Sequence, residues 1–120
     1  MSTVATFDIE SGDLCLRLSW VEKLEAFHRN VRVPLTSVAS VRSVVTAWPE
    51  LRGIRAPGTG IPNVIAVGTR RGGFGKDFAI VHGKGPALVV ELQGAAFQRL
   101  VVTVDDADGA AATIRGSMHR

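Results

Sequence analysis

The chain has no tyrosine, one cysteine, three lysines, two tryptophans and five phenylalanines. A lone cysteine excludes an intrachain disulfide and a cysteine-only zinc site. Cys15 lies within an apolar alternation, which predicts a small buried hydrophobe rather than a reactive thiol. Long apolar runs are missing too: no segment approaches the roughly 20 residues that a bilayer span requires. No cationic start followed by an apolar stretch marks a secretory leader. These absences predict a cytoplasmic protein, with a peripheral seat on the inner face of the membrane as the alternative. Nucleic-acid binders combine clustered basic residues with stacking aromatics. Phe74 is the one aromatic within the basic turn here, so a nucleic-acid partner is not expected.

What is present suits one globular unit. With 120 residues, 46% of them hydrophobic, the chain can bury one core. A single domain over 1–116 is expected, followed by a flexible tail at 117–120. Alanine, arginine and glycine are plentiful beside the few lysines, the bias of a GC-rich bacterial genome. The net charge of +3 is unevenly spread: −3 over residues 1–28, +7 over 29–84 and −1 over 85–120. The middle of the chain is therefore a weak cationic field, suited to an anionic partner.

Periodicity reads most of the chain as strand. "TVATFDIES" and "DLCLRLS" alternate with a period of two, and Ser11-Gly12 between them predicts a tight hairpin with an acidic tip. "SWVEKLEAFHRN" breaks that period. Ser19 and Glu22 have capping-box spacing, and Trp20, Leu24 and Phe27 share one face of a short helix that Asn30 can end. "VRVPLTSVASVRSVVT" returns to β character, with Pro34 marking an edge or bend and uneven valine spacing predicting a bulge. Residues 48–63, with three prolines and three glycines, read as a long irregular loop. Four strands follow in "VIAVGTR", "DFAIVH", "ALVVEL" and "FQRLVVTV", joined by turn-rich segments. Asp105 or Asp106 then caps a terminal helix that Arg115 and Gly116 close, with Ala107, Ala110 or Ala111, and Ile114 as its apolar stripe. The total is seven strands, a short helix after the second, and a terminal helix.

The glycine-rich stretch from Gly58 to Pro86 invites comparison with phosphate loops, and it fails both. In the Walker pattern Arg70 replaces the first glycine and Asp77 the magnesium-binding hydroxyl. In the Rossmann pattern the third glycine is Asn63, Phe78 or Leu88, and each candidate leads toward a strand. Hairpin turns explain the glycines better, because glycine tolerates positive φ. The basic residues remain as a candidate anion site: Arg52, Arg55, Arg70, Arg71, Lys76 and Lys84, with two or three of them meeting at one barrel end. With Phe74 exposed among them, the same cluster is a candidate membrane contact. His28, His82 and His119 lack metal-ligand spacing, and no nucleophile elbow or catalytic carboxylate pair occurs. Neither a metal, a cofactor nor an enzyme is expected.

Seven short strands closed by one helix resemble a pleckstrin-homology-like domain. "VRVPLTSVASV", "GTGIPNVIAVGTRR", "GKDFAIVHGKGPALVVEL" and "FQRLVVTVDD" are similar to a small uncharacterised bacterial family of this architecture. The resemblance implies a bent sandwich or barrel with "AAATI" plugging one open end. Lipid-binding members hold phosphoinositide headgroups with basic residues at the first strand turn. Here that turn is Glu10-Ser11-Gly12-Asp13, so binding in that mode is not implied. The sequence thus predicts a non-enzymatic binding or protein-interaction module, whose partner is either another protein or a second copy joined through sheet edges. The alternative is a carrier or peripheral membrane module for an anionic small molecule or lipid headgroup.

Overall fold

Ser11 and Gly12 both adopt positive φ, 51° and 81°, and this primed turn sets the register of the first hairpin. It joins β1 (Thr6–Glu10) to β2 (Asp13–Arg17), with Glu10 opposite Asp13. The computed structural model describes residues 6–18, 30–61 and 64–118, and the side chains of 54–59 lie outside that description. The helix expected over 19–30 falls almost wholly outside the described residues. Asn30 is described, and its Oδ1 accepts the Leu18 N–H at 2.8 Å.

β3 (Val31–Pro34) completes a three-stranded antiparallel sheet in the order β1-β2-β3. Pro34 ends this edge strand and precedes a 3-10 turn at Leu35–Ser37. Beyond it, β4 (Val38–Val44) joins a different sheet, with a bulge between Val38 and Ser40. The second sheet adds β5 (Ile54–Ile61), β6 (Ile65–Gly72), β7 (Gly75–His82), β8 (Ala87–Leu92) and β9 (Arg99–Thr103). Its order is β4-β8-β9-β7-β6-β5, and β7 and β9 pair in parallel.

The described residues thus form nine strands rather than seven, for two local reasons. The turn after Pro34 divides one expected strand between two sheets. The expected loop at 48–63 contains β5, an edge strand that carries Pro57 and pairs with β6 on one side only. An edge strand tolerates proline because its outward backbone groups need no ladder partner. Gly58 and Gly60 therefore lie in a strand, opposite Gly68 and Ala66, and not in a turn.

Both sheets and the terminal helix share one core. Leu14, Leu16, Val31 and Val33 from the small sheet are buried with Phe78, Ile80, Leu88, Val90, Leu100 and Val102 from the large one. The helix α1 (Ala107–Met118) buries Ala107, Ala111 and Ile114, the face its spacing predicts. Asp106 Oδ1 accepts the Gly109 N–H at 3.0 Å and caps the helix start. The helix runs through Gly116 to Met118, two residues beyond the expected stop. A smaller apolar cluster occupies the other face of the large sheet: Ala47, Ala66, Ala79, Val81, Ala87, Val89 and Val101. Segment 45–53 crosses that face, with Ala47 buried in it and Trp48 and Leu51 packed against it.

Candidate functional site

The register of the large sheet aligns charge. Glu91 on β8 lies opposite Arg99 on β9, Arg99 beside Asp77 on β7, Asp77 opposite Arg70 on β6, and Arg70 opposite Arg55 on β5. Strand alternation puts Asp77 on the same face as Ala79 and Val81, so this charged row borders the smaller apolar cluster. Asp77 is only 2% exposed. A buried carboxylate requires a partner, and Arg52 supplies two hydrogen bonds, from Nε at 2.6 Å and NH2 at 3.0 Å.

These charges hold segment 45–53 on the sheet. Arg70 donates to the carbonyls of Arg52 and Gly53 at 3.0 and 3.1 Å. Arg99 NH1 donates to the Glu50 carbonyl at 3.0 Å, and its Nε lies 2.9 Å from Glu91 Oε2. Arg42 NH2 donates to Glu50 Oε1 at 2.5 Å. That hydrogen bond holds the Glu50 carboxyl below its ordinary pKa, against the opposing effect of burial. At the far end of the segment, Trp48 Nε1 donates to the Gly83 carbonyl at 2.8 Å.

The six basic candidates therefore separate. Arg52 and Arg70 come together, but both are engaged by this chain's own acceptors. Phe74 is half-buried with the Arg52 guanidinium 4.1 Å over its ring centre. Arg71 is exposed and Lys76 half-buried, opposite each other on the β6–β7 hairpin. Lys84 lies in the β7–β8 turn, at the other end of the sheet. Arg55 is placed by its backbone register opposite Arg70, and its side chain lies outside the described residues. Periodicity gave no sign of the Arg42–Glu50–Glu91–Arg99 network, because its members lie on separate elements up to 57 positions apart in sequence.

Three clefts bear on binding. One of about 300 Å³ lies beside Arg70, lined by Trp48, Leu51, Ile61, Ile65 and Ala66. A second of about 460 Å³ lies between β1 and α1, where Asp8 is the single charged residue among the described lining. The third, about 440 Å³, runs between β3 and the β8–β9 connection, lined by Asn30 to Pro34, Lys76, Ala95, Ala96 and Phe97. Its described lining residues include two cations and no acid. Arg32 is already paired with Asp13 at 2.7 Å. Lys76 has no anionic partner among the described residues, and its ammonium lies 5.3 Å from the Phe97 ring centre.

Among the described residues, no group of three His, Cys, Asp or Glu side chains is placed to hold a metal ion. No described helix is long and apolar enough to cross a membrane. Comparisons with family models, curated proteins and solved structures returned no match.

Proposed function

We propose that the protein is a non-enzymatic binding module of the pleckstrin-homology-like kind, with its ligand seated in the cleft between β3 and the β8–β9 connection. One observation carries this reading. Neighbouring arginines are engaged by the chain's own acids and carbonyls, whereas Lys76 faces no acid among the described residues of an open cleft. The fold assignment is supported by two sheets around one core with a terminal helix packed into it. The parallel β7–β9 pair is a departure that any such relationship must accommodate. The test is a screen of small metabolite mixtures by amide chemical-shift mapping. Shifts clustered on residues 30–34 and 95–97 are expected. Shifts centred elsewhere, or none, overturn the reading.

A second reading, self-association, is favoured by the one-sided pairing of β5 and by Ile61 and Val64 at its hairpin end, 55% and 56% exposed. An unpaired edge beside exposed apolar residues is a template for a second chain. Sedimentation velocity decides this: a dimer that V64K converts to monomer supports it, and a monomer at high concentration overturns it.

A further inference from the structure

We infer that the cleft beside Lys76 takes an amphiphilic monocarboxylate, with the carboxylate paired to Lys76 and the apolar body lying against Phe97, Val33 and Ala95. The inference rests on the binding-module reading and specifies its ligand. Its first support is charge. Lys76 and Arg32 are the charged lining residues among those described, and Arg32 is held by Asp13 and Glu10. An incoming anion therefore meets one uncompensated positive charge, with its ammonium set against an aromatic ring.

The second support is the kind of cation. A single ammonium is a compact point charge suited to one carboxylate. Phosphate sites are typically built with arginine forks or helix N-termini. The one guanidinium among the described lining residues is occupied. The third support is the rest of the surface. Apart from Asn30, whose Oδ1 already accepts the Leu18 N–H, the rest of the described lining is Val31, Val33, Pro34, Ala95, Ala96 and Phe97. A volume of about 440 Å³ lies within the range of small-molecule sites, roughly 300–1,000 Å³. An extended acidic peptide fits less well, because β3 has four residues and ends in Pro34, which supplies no N–H.

The experiment is titration calorimetry with amide shift mapping on the full chain. Probes are decanoate, its methyl ester, decyl phosphate, acetate and a hexaglutamate peptide. Decanoate is expected to shift residues 30–34 and 95–97, the ester to bind at least roughly tenfold more weakly, since one charged hydrogen bond is worth about that factor, and acetate to bind at least as weakly because it keeps the charge but buries no alkyl chain. K76M, which keeps the apolar stem, is expected to lose a similar factor, with K76R restoring part of it. A96W is expected to abolish binding by filling the cleft, with an otherwise native amide spectrum. Equal affinity for acid and ester, or unchanged binding by K76M, overturns the inference while leaving a ligand-binding cleft. Tighter binding of decyl phosphate or hexaglutamate overturns the carboxylate assignment. Absence of any shift in the cleft with every probe overturns the inference. The wider reading falls only if the metabolite screen also leaves the cleft unperturbed.

Discussion

Asp77 follows a glycine-rich turn and reads in sequence as a residue that spoils a phosphate motif. In the structure it is the buried anion to which Arg52 is anchored. Removing one partner of a buried pair leaves the other uncompensated, so R52M is expected to destabilise the protein by about 3 kcal/mol. Substituting both, as R52M with D77L, is expected to recover most of that loss. Urea midpoints of the two single variants and the double variant check this, and additive losses count against it. Gly53 is a second residue whose role depends on its surroundings. Its φ is +80°, and an added Cβ would meet the Arg71 carbonyl oxygen at 2.5 Å and Phe74 Cζ at 2.7 Å. G53A is therefore expected to cost more than about 1 kcal/mol in the same assay, from combined strain and clash.

Segment 45–53, whose one regular piece is a 3-10 turn at Trp48–Glu50, illustrates how a connection can be held by side chains from the strands it crosses. Its composition suggested a loop, but arginines from β4, β6 and β9 bind its carbonyls and the Glu50 side chain. Glu50 has its pKa depressed on folding. Such a group contributes stability in full above its ordinary value of 4.5 and loses it as pH falls through the lower folded value. Wild-type protein is therefore expected to lose stability on acidification below that value, and E50Q to lose less over the same interval. Urea midpoints measured from about pH 6 down to pH 3 test this, and parallel curves contradict it. At the β4 edge of the sheet, Arg115 on α1 donates to the Val41 carbonyl at 2.5 and 3.1 Å. R115A is expected to cost about 1–2 kcal/mol and to speed hydrogen exchange in β4 more than in β7. Uniform acceleration across both strands argues against this specific tether.

Among the described residues of the large sheet, most exposed positive charge lies away from the exposed apolar residues, which share their end with Lys84 alone. Arg71 and Lys76 lie at the β6–β7 hairpin, where Phe74 is tucked against Arg52. The exposed Val45, Ile61 and Val64 lie at the other end of the strands, roughly 25 Å away at about 3.3 Å per residue. Val45 also lines a cleft with Asp105, Asp106 and Asp108. Binding to anionic membranes is strongest when cationic and apolar groups share one face. Anionic and neutral vesicles are therefore expected to sediment the protein equally little. Strong selective sedimentation with anionic vesicles contradicts this.

The amino-acid sequence by itself determined the elements whose signals are local. The Ser11-Gly12 hairpin, the edge role of Pro34, the bulge near Val38 and the buried stripe of α1 all follow from turn chemistry or from periods of 2 and 3.6. Only the tertiary structure decided that β5 is a strand, that β7 and β9 run in parallel, and which basic residues are occupied. Arg52 and Asp77 are 25 positions apart, and Arg42 and Glu91 are 49 apart. Their pairing depends on strand order and register, and no local propensity encodes either. The six basic residues look alike in sequence. Folding commits Arg52 and Arg70 to holding the chain together and leaves Lys76 at the mouth of a cleft.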